Sequence, residues 1–158
     1  MGTRNLVAVY SKGVPVIAQY GQWDGHPSGQ GKTALEFCTE HLSTPAGRDA
    51  FKVKLTQCRW VTDEEIKVAH EAVGIEGPFM TMDQSQKLDH MFPYLSRDIG
   101  AKILEMVRIS PVDVLLVNSI EFAGESLHCE FAYVVDLDLN TFEAYVGFQK
   151  SRTTGQRF

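Results

Sequence analysis

Along the first twenty residues hydrophobic and polar positions alternate with a period of two. Arg4–Tyr10 sets Leu6, Ala8 and Tyr10 on one side and Asn5, Val7 and Val9 on the other, the spacing of a β-strand. Ser11-Lys12-Gly13 reads as a turn, and Val14–Tyr20 returns with Val14, Val16, Ala18 and Tyr20 sharing a face. Pro15 has no amide to give a ladder, so this second strand is expected at a sheet edge. The period then changes. Leu35, Cys38 and Leu42 recur at helical spacing over Thr33–Leu42, and Ala46–Gln57 suits another helix. Thr62-Asp63-Glu64-Glu65 has the form of a capping box for a helix ending near Gly74. Gly74–Asp83 reads as a loop around Gly77-Pro78. Ser85–Met91 and Ser96–Val107 follow as helices on either side of Pro93, the latter with Ile99, Ile103, Met106 and Val107 as its apolar stripe.

Strand patterns return at the end. Val114–Val117 is a continuous apolar run, expected to be buried on both faces. Glu130–Leu137 alternates again, Asn140-Thr141 marks a turn, and Phe142–Phe148 runs back. Strands and helices are segregated, which predicts an α+β fold: an antiparallel sheet from the N-terminal hairpin and the C-terminal strands, with the middle helices on one face. Residues 1–149 are expected to form one domain, with a loose basic tail over 150–158.

Composition narrows the classes. The chain has 158 residues and a net charge of −5, so a basic face that coats nucleic acid is not expected. It has no apolar run long enough to span a membrane and no signal-peptide core, which predicts a cytoplasmic protein. Cys38, Cys58 and Cys129 are far apart, and the five histidines lack zinc-site spacing. Gly2 lies in a myristoylation-like start that Leu6 spoils.

The most unusual stretch is Gly21–Gly31, with four of the 13 glycines. Such a backbone can approach a ligand closely, and it leads into a helix whose first N–H groups favour anions. Lys32 and Thr33 add a cation and a hydroxyl, while Trp23 and His26 offer rings for stacking on a base. Gln22, Asp24, Gly29 and Gly31 complete the loop side of the candidate site, and Arg4 and Arg97 are its further cations. The alternative is a structural loop with Trp23 as a plug and Asp24 capping a turn. Gly31-Lys32-Thr33 is not a nucleoside-triphosphate loop, because His26 stands where that motif needs its first glycine. Ser96 and Asp98 also suit a plain helix start.

The last third is acidic. Between Ile109 and Gln149 seven carboxylates meet no Lys or Arg, leaving the rest of the chain at +2. Glu130, Asp136 and Asp138 fall on one face of the strand pattern, the arrangement of a Mg2+ or Mn2+ site in a metal-dependent hydrolase; the alternative is a solvated sheet face. N-terminal nucleophile chemistry is not available, since loss of Met1 exposes Gly2 rather than Thr3.

Three stretches together, Gly2–Leu6, Gln19–Gly25 and Glu130–Asp138, resemble a group of short bacteriophage and prophage proteins with more distant fungal look-alikes; the likeness also touches Leu95–Ala101. That resemblance implies no catalytic residue. It implies a phage setting, in the host cytoplasm, where small proteins counter host defence by binding a defence protein or sequestering a signalling nucleotide. Three functions follow as expectations: a non-catalytic module holding an anionic, nucleotide-like ligand at the glycine-rich loop, the metal-dependent hydrolase, or a module that binds a host protein. Homodimerisation through an open sheet edge is a form of the last.

Overall fold

The computed structural model describes residues 2–125 and 127–147. The strands β1 (Asn5–Ser11) and β2 (Val14–Gly21) form the expected hairpin, and β5 (Phe131–Asp136) and β6 (Thr141–Val146) form a second. Their order across the sheet is β2-β1-β5-β6. The fold is α+β, as the segregation of patterns predicts.

One feature of the expected sheet is corrected. Its central pair, β1 with β5, runs parallel, with Val7 opposite Tyr133 and Val9 opposite Val135. The two hairpins lie side by side with their first strands touching. The long middle of the chain leaves at the end of β2 and returns to the same end of the sheet. A parallel pair needs such a crossover, and its strands are covered on both sides. Residues 5–10 of β1 are accordingly all buried.

The helices are α1 (Lys32–His41), α2 (Pro45–Leu55), α3 (Asp63–Ala72), α4 (Met82–Met91) and α5 (Lys102–Ile109). Val7, Val9, Ile17, Tyr133 and Val135 face one way and pack with Phe37 of α1, Phe51 of α2 and Ile103, Leu104 and Val107 of α5. The opposite face carries Leu6, Ala8, Tyr10, Ala132 and Val134, covered by Ile120, Phe122 and Cys129 from the segment before β5. Two three-residue strands, β3 (Cys58–Trp60) and β4 (Val114–Leu116), form a separate parallel pair.

Several boundaries move. Helical winding begins at Pro27, as a π-type turn over Pro27–Gly31 that runs into α1, so the second half of the glycine-rich stretch is regular. Proline at the first position suits a helix start, where its missing N–H is no loss. The helix placed at Ser96 begins only at Lys102: Ser96 Oγ accepts from the Asp98 amide in a turn, and Gly100 has φ +47°. The C-terminal tail and Phe148 lie outside the described residues. No helix among the described residues is long and apolar enough to cross a membrane.

Candidate functional site

The glycine-rich loop closes the end of the sheet where β1 and β5 begin. It is tied down residue by residue. The Gly25 amide donates to the Thr3 carbonyl at 2.9 Å, and the Tyr133 hydroxyl donates to the Gly25 carbonyl at 2.7 Å. Asn5 Nδ2 reaches the Gly21 carbonyl, and the Gln22 amide donates to the Arg97 carbonyl at 2.8 Å. Gln30 bridges to the turn before α5, its Oε1 accepting from the Ala101 amide at 2.8 Å.

Those bonds change the meaning of the loop. Gly29 and Gly31 donate their amides to the His26 carbonyl, and Gln30 donates to the Asp24 carbonyl. The amides of Gly29, Gln30 and Gly31 are therefore used inside the turn. Two glycines have packing reasons. A β-carbon at Gly29 would run into the Asp24 carboxylate, and one at Gly31 would stand 2.7 Å from the Tyr133 ring. Lys32 and Thr33 are the first two residues of α1, but the π-type turn over Pro27–Gly31 precedes them. Lys32 pairs with Glu36 at 3.6 Å, and the Thr33 hydroxyl donates to the Gly29 carbonyl at 3.2 Å. His26 is exposed and leans on the Phe131 ring, with centroids 5.3 Å apart.

Beside the loop the structure gathers a second set of groups. Tyr20, at the end of β2, has its hydroxyl in close contact with Gln22 Oε1 and its ring edge-on to Phe122. Burial pushes the Tyr20 phenol above its ordinary value, and the nearby positive charges of Arg4 and Arg97 pull it back. Both arginines are fixed at this corner by their backbones, Arg97 through its carbonyl to the Gln22 amide and Arg4 through its amide to Glu130. Neither makes an ion pair among the described residues, whereas Lys32, Lys52, Arg59, Lys87 and Arg108 each have a carboxylate. The Glu130 carboxylate meets the Arg4 backbone: its Oε1 accepts from the Arg4 amide at 3.2 Å. Trp23 is 46% exposed and lies over Gly2, where a side chain would collide with its ring.

Arg4, Gln22, Trp23 and Arg97 of the predicted site therefore share one end of the sheet. Tyr20 and Glu130 belong with them, though the sequence assigned Tyr20 only to a strand face. The signal for Tyr20 is positional: it is the last side chain of β2 before the chain turns at Gly21.

The acidic residues do not converge. Glu130 precedes β5 and Asp136 ends it, so six residues of extended chain, about 20 Å, lie between them. Alternation also stops at Asp136, whose Oδ1 accepts from the amides of Asp138 and Leu139 to form the turn into β6. Asp138 pairs with Lys52 at 2.9 Å and also accepts from the Lys12 amide; the lysine beside it holds its carboxyl below the usual range. No group of three or more His, Cys, Asp or Glu side chains among the described residues is placed to hold a metal ion. A cleft of about 250 Å³ near Asp136 is lined by Cys38, Leu42, Arg48, Asn140 and Phe142, where the Arg48 guanidinium is engaged by the Leu42 carbonyl and Asn140 Oδ1. The glycine-rich loop and the Asp136–Asp138 turn thus occupy opposite ends of the sheet.

Comparison with models of protein families, with curated proteins and with solved structures finds no match.

Proposed function

We propose that the protein is a binding module for a small anionic, nucleotide-like ligand, held where β1 and β5 begin. Its phosphate sits between the Arg4 and Arg97 guanidiniums, which suit planar, two-pronged contact with phosphate oxygens. Tyr20 and Gln22 orient it, and Trp23 supplies a face for a base. The observation that carries this reading is that Arg4 and Arg97 flank Tyr20 and Gln22 at one end of the sheet, and that neither arginine has an ion pair among the described residues. The glycine-rich loop contributes position rather than amides: through Gly25, Gln30 and Tyr133 it fixes Gln22 and Trp23 against the chain's first strand. Sequestering a nucleotide signal is the role that the phage resemblance suggests for such a module. The metal-dependent alternative has no comparable support, because its three carboxylates lie at two ends of the sheet.

Thermal unfolding in the presence of mononucleotides, cyclic dinucleotides and inorganic phosphate tests this. A ligand at a hundredfold excess over its Kd stabilises by about 2.7 kcal/mol. The stabilisation is expected to vanish in Arg4→Gln/Arg97→Gln and to persist in Lys32→Gln. Equal stabilisation of the double variant, or none of the wild-type protein by any of the three classes, overturns it.

A further inference from the structure

The α3–α4 helical pair stands on a small core of its own, Ala69, Val73, Ile75 and Leu88. Its outer side carries a groove along one face of α3, with Ile66 and Ile75 in its lining and Asp63, Lys67, Glu71 and Glu76 around them. The loop after α3 is unusually apolar for exposed chain, with Phe79 90% exposed and Met80 41%, and Met82 at the start of α4 is 77% exposed. Neighbouring large apolar side chains left in water mark contact surfaces, and methionine is suited to faces that adapt to a partner.

Charge indicates what that partner is like. Residues 63–91 hold seven carboxylates against two lysines, which equals the entire net charge of the chain, −5. Glu65 is paired with Arg59 and Asp83 with Lys87. Asp63, Glu71 and Glu76 have no ion pair among the described residues, and all three border the groove. An apolar floor with an acidic rim selects a segment that is apolar on one side and basic on the other.

We propose that this groove docks a basic, amphipathic segment of a partner protein. An apolar side chain of the segment seats against Ile66 and Ile75, its Lys or Arg groups meet Asp63, Glu71 and Glu76, and Phe79 closes over it. The surface is chemically opposite to the arginine pair, so it does not depend on the anion-binding reading.

The test uses the full chain and fluorescence anisotropy of three short labelled peptides: one alternating Leu with Lys and Arg, one with Glu in place of every Lys and Arg, and one of Lys and Ser only. Preferential binding of the first peptide is expected, weakening as salt rises. Glu71→Lys/Glu76→Lys is expected to reduce its affinity about tenfold or more, and Phe79→Ser to reduce it without altering the salt dependence. All these positions are at the surface, and circular dichroism checks that the variants fold. The proposal is overturned if the acidic or the Lys/Ser peptide binds as tightly as the first, or if Glu71→Lys/Glu76→Lys binds unchanged. It is also overturned if the protein alone sediments as a dimer that Phe79→Ser converts to monomer, since a second copy then covers the surface.

Discussion

At the scale of single residues, the glycine-rich loop is explained by what stands beside each glycine. Gly31 → Ala would push a methyl against the Tyr133 ring from 2.7 Å, and that ring is held by its hydroxyl bond to the Gly25 carbonyl. Neither side can yield freely, so the substitution is expected to cost about 1–3 kcal/mol by urea unfolding. Gly124→Ala meets nothing within 4 Å and is expected to stay within about 0.5 kcal/mol. Equal effects would show that loop packing is not what these glycines serve. Tyr133 itself has a pH signature. Burial, and then the Asp24 charge, push its phenol up to about 12 from 10.0. A raised phenol favours the folded state below pH 10 and loses that contribution as pH climbs toward 12. Alkaline unfolding of the wild type should therefore steepen in that window, and Tyr133→Phe, already less stable at neutral pH, should show a smaller change across it.

Among the elements, those with a strong local signal form where expected, and those decided by neighbours do not. The Thr62 capping box is present in full: Thr62 Oγ1 accepts from the Glu65 amide at 3.2 Å, and Glu65 Oε2 accepts from the Thr62 amide at 2.9 Å. Hydrogen bonds from Arg59 and then from the Thr62 amide hold the Glu65 carboxyl down at about 2, from 4.5. The sign is that of a depressed acid: its contribution is complete above pH 4.5 and fades as pH falls toward 2. A carbon-detected titration of Glu65 should show that low midpoint, returning toward 4.5 in Arg59→Gln. Thr62→Ala is expected to cost about 1 kcal/mol. A second box, Thr81 with Gln84, starts α4 three residues ahead of the sequence expectation, because Gly77-Pro78 is a strong loop signal and masks the box that follows it. The π-type turn at Pro27 and the late start of α5 were illegible for a different reason. Both depend on the Gln30–Ala101 and Gln22–Arg97 bonds, which join segments about seventy residues apart in the chain. Local pattern carries no trace of such bonds. The sequence offers Arg4, Gln22, Trp23 and Arg97 as candidates by residue type, and it takes the fold to bring them to one end of the sheet and to bond the Gly29, Gln30 and Gly31 amides within the turn.

For the molecule as a whole, strand alternation showed which residues face which way, but not that β1 and β5 run parallel. That direction is set by the route of the long crossover, and it places the arginine pair and the acidic turn at opposite ends. The same sheet separates two apolar layers, and each holds a thiol that can report on how they open. Cys38 packs against the helix-side core, and burial raises its thiol to about 11. Cys129 lies in the other layer with Leu6 and Ala8, where burial and then Glu125 and Glu130 raise it to about 12. At pH 8 these values leave only about one thiolate in a thousand and one in ten thousand, so alkylation through the folded state is slow. Reaction must then follow opening. Because Val7 and Val9 face one layer while Leu6 and Ala8 face the other on the same six buried residues of β1, neither layer can lose its sheet face without the other. Cys38 and Cys129 are therefore expected to react with iodoacetamide at one rate, with one urea dependence, in a site-resolved mass measurement. Cys58, half-buried on the three-residue β3 and less strongly raised, should react ahead of both. A Cys129 rate several times that of Cys38, with a shallower urea dependence, would mean that the cover over Ile120–Cys129 opens alone and that the sheet does not couple its two sides.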